Sequence, residues 1–248
     1  MDGDSHTRTL TPPKGFLFDY GGTLVEEVSV DPRAGNEWLL SRASYRPASI
    51  ALDEVLARVA RVSRDVASLR DDTHIETPWT SLTRLIHDAV GIRFDAPMAE
   101  LELGFWRATV RTEPMPGARA ALEQFQRAGM PMGVVSNTGF SEQVIRFELG
   151  KHRLTDHLVF VMVSSDYAVR KPNVLLYEVA AARLGVEPAD IWFVGDRLDT
   201  DVAGAKAAGM TAVWFNIGAR RETSHHPDLT VADWSALLHH VLGAQPLS

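Results

Sequence analysis

Residues 16–24 read FLFDYGGTL: three apolar side chains, then Asp19, then a break at Gly21-Gly22. A short, nearly continuous apolar run bounded by turn formers predicts a strand buried on both faces of a parallel sheet. Such a strand ends at the sheet edge where doubly wound folds bind ligands. A carboxylate held there is a candidate nucleophile rather than a turn residue or helix cap. Two positions on, Gly21 offers no side chain at all.

The same strand signature recurs at MPMGVVS (130–136), LVFVMVS (158–164), IWFVGD (191–196) and TAVWFN (211–216). Between these runs lie helical patterns at 117–128, 173–184 and 201–208, closed by Gly129-Met130-Pro131, Gly185 and Gly209. Strand alternating with helix predicts an α/β fold built on a doubly wound parallel sheet.

One connection departs from this rhythm. From about residue 25 to 113 no strand signal is read. Ile50, Leu52, Val55, Leu56, Val59, Val62, Val66 and Leu69 follow helical spacing. Further helices are predicted at 79–90 and 98–110, the last starting at Asp95 and Pro97. The expected organisation is a loose tail over 1–13, an α/β core over 14–25 and 113–248, and an inserted helical unit over 26–112. The hinges are read at Glu26–Gly35 and at Thr112–Gly117, a turn-rich TEPMPG linker.

The strand ends gather chemistry. The first delivers Asp19 and the second Ser136 and Asn137. The loop after the third carries Lys171, and the fourth ends at Asp196, with Asp199 and Asp201 behind it. In a parallel sheet these ends converge on one mouth. Carboxylates that close repel one another unless a cation sits among them. An all-oxygen donor set favours Mg²⁺, which prefers one or two carboxylates, waters and a substrate phosphate.

Composition narrows the partners. A net charge of −7 argues against nucleic acid, whose phosphate backbone requires clustered Lys and Arg. It does not exclude a small phosphorylated ligand in a locally basic pocket. The absence of cysteine rules out thiolate catalysis, disulfides and Cys-based zinc sites, and it fits a reducing compartment. No apolar run reaches the roughly 18 residues of a membrane span, and the polar start MDGDSHTRTLTPP lacks an apolar signal core. The expected location is the cytoplasm.

In order, DxxGTL, a hydrophobic run ending in SN, KP, and GDxxxxD followed by AGAKAAGM resemble the haloacid dehalogenase superfamily, over residues 15 to about 234. The inserted unit is similar to that superfamily's α-helical cap. The resemblance implies Asp19 as nucleophile, forming an aspartyl-phosphate, with Ser136 and Lys171 holding the phosphoryl group. It implies Asn137 and Gly22 as further substrate-binding positions. It implies Mg²⁺ held by Asp19, Asp196, Asp201 and the backbone carbonyl of Gly21, and a small phosphorylated metabolite as substrate.

Phosphatases of the superfamily carry an aspartate at the position of Gly21, where it moves protons to the leaving group and from water. Its loss leaves three readings. The substrate has a good leaving group; a residue such as His74, His87 or Asp199 substitutes; or the protein binds a phosphorylated ligand or partner with little turnover. Metal-free dehalogenation is a further alternative, which the retained GDxxxxD acids argue against. The Schiff-base lysine of the phosphonatases has no counterpart, because Lys14, Lys151, Lys171 and Lys206 all lie outside the insertion.

Other features read as structural. Trp38, Trp79 and Trp106 are expected in the core of the insertion, Arg33, Arg42 and Arg46 on the surface, and the His225-His226 and His239-His240 pairs in solvent.

Overall fold

A computed structural model describes residues 10–220 and 225–243. The first strand, β1 (Gly15–Phe18), leads through the Asp19–Gly22 turn into β2 (Val25–Val30). Four helices follow: α1 (Pro32–Ser41), α2 (Leu52–Thr73), α3 (Trp79–Asp88) and α4 (Met98–Thr109). The chain returns along β3 (Val110–Pro114) to α5 (Ala118–Arg127), β4 (Met132–Ser136) and α6 (Glu142–Lys151). Next come β5 (Phe160–Val163), the single turn α7 (Ser164–Tyr167), α8 (Val174–Leu184) and β6 (Ile191–Gly195). A π turn at Leu198–Val202, α9 (Ala203–Ala207), β7 (Thr211–Phe215), β8 (Leu229–Val231) and α10 (Trp234–Leu242) complete the described chain.

Six strands form one sheet in the order β5-β4-β1-β6-β7-β8, every pair parallel. Side chains alternate across it. Phe16, Phe18, Val134 and Val194 face the layer of α5, α6 and α10, whereas Leu17, Val135 and Phe193 face α8 and α9. Phe16 stacks on Phe125 of α5 at 4.4 Å and on Phe18 at 5.5 Å. Each such fully buried side chain contributes about 1.5–3 kcal/mol relative to exposure. Burial on both faces is why the apolar runs are continuous. β1 sits between β4 and β6, so the strand order reverses at β1 and the crevice opens beside Asp19.

Both expected hinges, Glu26–Gly35 and Thr112–Gly117, begin within strands. β2 and β3 pair antiparallel as a two-stranded ribbon, with Glu27 opposite Thr112 and a register shift between Glu27 and Ser29. VEEVSV and VRTEP carry no apolar run because all but two of their residues are exposed or half-exposed. Within the first hinge Asp31 also starts a helix, accepting the Ala34 N–H at 3.0 Å with Pro32 at the first helical position. At the start of α4 the cap position belongs to Pro97. Asp95 instead accepts the Ser44 hydroxyl at 2.9 Å. The predicted 201–208 helix is reduced to α9 behind the π turn.

α1 to α4 enclose a small core of their own around Val55, Val90 and Ile92. They dock on the sheet layer through Trp79 and Trp106, both packed on Phe140. The tail is partly anchored: Leu10 packs on the core and the Thr11 carbonyl accepts the Trp192 indole N–H at 3.1 Å. Residues 1–9 of the expected tail lie outside the described residues. No helix among the described residues is long and apolar enough to cross a membrane.

Candidate active site

Asp19 leaves β1 with its backbone N–H bonded to the Val194 carbonyl at 2.9 Å, which ties the first strand end to the fourth. The turn that follows depends on Gly22, whose φ of +68° suits glycine and whose missing side chain leaves room for the Asp196 carboxylate. The Gly22 N–H is committed to the Val25 carbonyl at 2.9 Å, so the turn uses the group through which this residue could donate to a ligand.

Lys171 Nζ, almost fully buried, lies 2.7 Å from Asp19 Oδ1 and 2.7 Å from Asp201 Oδ1. Asn137 fixes this lysine from behind. Its carbonyl accepts the Lys171 N–H at 2.8 Å and its amide donates to the Lys171 carbonyl at 3.0 Å. Asn137 thus spends its side chain on positioning the ammonium. Ser136 ends β4, buried, and lines the same cavity as Asp19. Asp201 accepts the Arg197 N–H at 3.0 Å through Oδ2. Its side chain fills the space a Cβ on residue 195 would need, which is why Gly195 ends β6. Asp196 lies 3.3 Å from the Arg220 guanidinium.

Asp19, Asp196 and Asp201 each offer an oxygen within 4.8 Å of the others. Three carboxylates against one buried ammonium leave excess negative charge. Burial pushes the Asp19 carboxyl up to about 7, and Asp201 and Asp196 add to this against the pull of Lys171. Burial and Asp201 likewise raise Asp196. Burial opposes the charge on Lys171, but Asp19 and Asp201 outweigh it and hold the ammonium charged. Asp201 Oδ1 is buried and accepts no well-aligned hydrogen bond despite the nearby Nζ. Crowded hard oxygen donors with an under-used buried oxygen fit a small divalent cation.

The cluster opens into a cavity of about 620 Å³. Its far wall comes from the helices, with Arg70, Asp71 and His74 at the end of α2 and Trp106 on α4; Glu27 of β2 closes one side. The end of α2 is stitched to the loop before Lys171. Glu76 pairs with Arg170 and accepts the Ser164 hydroxyl, and the Arg170 N–H donates to the His74 carbonyl at 2.9 Å.

The three residues considered as substitutes for a missing acid fare differently. His74 reaches the cavity. Asp199 does too, but Arg197 binds it through two hydrogen bonds and, against burial, holds its carboxyl below the usual range. His87 is buried inside the helical unit, bonded to the Thr83 carbonyl, and lines a separate small cavity of about 70 Å³. Glu27 and Arg70 escaped the sequence reading. The signal for Glu27 was period two: it stands two residues after the buried Val25, on the same face of its strand.

A doubly wound parallel sheet with an acid-and-lysine cluster at its switch point defines an α/β protein with a candidate catalytic site. The chain belongs to the haloacid dehalogenase-like hydrolases, the family that matches residues 13–209. A phosphoserine phosphatase of Thermus thermophilus is 34% identical over 135 residues, covering 54% of this chain and 53% of that protein. Haloacetate dehalogenase H-2 of Moraxella sp. (strain B) is 33% identical over 134 residues, covering 52% and 58%. The chain spans about half the length of these curated relatives. The crystal structure of a HAD phosphatase from Thermococcus onnurineus is similar over 92% of this chain and 98% of that one, with a TM-score of 0.66 and 28% identity.

Proposed function

We propose that the protein is a phosphohydrolase of small phosphorylated metabolites that works through an aspartyl-phosphate on Asp19 and requires Mg²⁺. The carrying observation is the buried cluster at the switch point, where Lys171 bridges Asp19 and Asp201 while Asp196 stands within reach of both. The relatives named as phosphatases support the substrate class.

Asp19 attacks phosphorus, which divides one difficult transfer into two easier ones. Lys171 steadies the nucleophile and the charge spreading over the phosphoryl oxygens, and Ser136 donates its hydroxyl to one of them. Asp19, Asp196, Asp201 and the Gly21 carbonyl would hold the ion, which supplies electrostatic stabilisation of the phosphoryl charge. Asn137 keeps Lys171 in register. The four helices act as a cap whose Arg70, His74 and Trp106 face the bound substrate and exclude water.

A panel of phosphate esters and acyl phosphates assayed with Mg²⁺ and with chelator tests this reading. Expected is Mg²⁺-dependent phosphate release that Asp19→Asn abolishes. Undiminished release by that variant refutes the mechanism. Binding without turnover of any compound would make the protein a phosphoryl-ligand binder instead. Chelator-insensitive halide release from 2-haloacids would make it a dehalogenase.

A further inference from the structure

Gly21 leaves the reaction without a proton carrier, and the space is real: a Cβ built on Gly21 meets nothing within 4 Å. The ribbon supplies a carboxyl on the wall of the same cavity. Val25 bridges to Gly21, and Glu27 stands two residues further on, about 7 Å along the strand. Glu27 lines the cavity together with Gly21, Asp19 and Trp106.

The surroundings of Glu27 suit a group that carries a proton. Glu148, buried on α6, accepts from the Trp106 indole at 2.8 Å and also binds Thr112, Lys151 and His152. Those donors outweigh its burial and keep it ionised. Glu27 is open to solvent along one side of the cavity, and partial desolvation together with this neighbouring negative charge raises its carboxyl above its ordinary range. Tyr20, the other titratable group beside them, has a buried hydroxyl with no hydrogen-bond partner among the described residues. Among those residues no hydrogen bond or ion pair holds the Glu27 carboxyl, whereas Asp199 is gripped by Arg197 and Asp71 lies 3.5 Å from Arg70.

We propose that Glu27, on the ribbon rather than the helical cap, is the proton donor and acceptor of the reaction at Asp19. This rests on the phosphohydrolase reading. As the Asp19 carboxylate bonds to phosphorus and the bond to the leaving oxygen breaks, that oxygen takes the Glu27 proton. Water then attacks the same phosphorus and gives a proton to the Glu27 carboxylate. The phosphorus–oxygen bond to Asp19 breaks, returning free Asp19, inorganic phosphate and protonated Glu27.

Leaving-group dependence tests the assignment. An alkyl phosphate such as glycerol phosphate needs the proton, whereas acetyl phosphate leaves well without it. In Glu27→Gln, kcat/KM on the alkyl ester is expected to fall about 10²–10³-fold. On acetyl phosphate kcat/KM should fall less than about tenfold, although kcat falls on both compounds because they share the intermediate that Glu27 helps to hydrolyse, and Glu27→Asp should recover part of the alkyl activity. A wild-type enzyme active on both compounds, with kcat/KM of Glu27→Gln unchanged or equally lowered on both, overturns the role of Glu27 and leaves Asp19 chemistry standing. A wild-type protein that releases phosphate from neither compound overturns both readings.

Discussion

Removing the charge on Asp19 tests the electrostatics of the site without any substrate. Between its ordinary value of 3.8 and about 7, the Asp19 carboxyl is protonated in the folded chain but ionised in the unfolded one. At about 1.4 kcal/mol per pH unit, ionising it costs the fold about 4 kcal/mol more than it costs the unfolded chain. A group whose folded pKa is raised by burial binds the extra proton in the folded state. Stability is therefore fully present below pH 3.8, declines as pH climbs to about 7, and is flat above. Asp19→Asn removes this dependence. It also takes one partner from Lys171, which adds a constant offset, so the slope is the diagnostic quantity. Urea unfolding of both proteins in chelator should show the variant gaining about 2 to 3 kcal/mol on the wild type between pH 5 and pH 8. Parallel stability curves over that range would refute the picture of an overcrowded carboxylate cluster. In the wild type, Mg²⁺ should restore stability above pH 7, because an ion that binds only the folded chain stabilises it by mass action.

Two further substitutions probe the surroundings. Gly21→Asp meets no steric obstacle and no unfavourable φ; in the Glu27→Gln background it should raise kcat/KM on alkyl phosphates at least tenfold more than on acetyl phosphate. Glu76→Ala leaves Arg170 mostly buried without its partner and the Ser164 hydroxyl without its acceptor. It should cost about 3–5 kcal/mol in urea unfolding, and a loss below about 1 kcal/mol would show that the joint between α2 and the Lys171 loop contributes little.

The strands of the core were readable because burial on both faces leaves no polar alternation to blur them. Asp19, Ser136, Lys171, Asp196 and Asp201 could be picked out because parallel strands all deliver their ends to one edge, so chain order alone brought them together. What escaped was set by pairing rather than by local pattern. VEEVSV and VRTEP satisfy their backbone groups against each other and bury only Val25 and Thr112, so neither looks like a strand alone. β8, three residues at the sheet edge, is too short for any periodicity to show. Glu27 was hidden for the same reason: its period-two relation to Val25 has meaning only once the segment is a strand, and that follows from its pairing with β3. The pair of hydrogen bonds between the Asn137 amide and the Lys171 backbone joins residues 34 positions apart and has no sequence signature.

The account turns on where the phosphoryl group goes. Acetyl phosphate forms the intermediate without a proton donor, so hydrolysis is the slower step with this substrate and the intermediate should accumulate. Acid-quenching the enzyme during turnover of acetyl phosphate with Mg²⁺, followed by peptide mapping, should find one phosphoryl group on the peptide bearing Asp19 and none in Asp19→Asn. Steady phosphate release with that peptide never modified, or with the label on another residue, would contradict it.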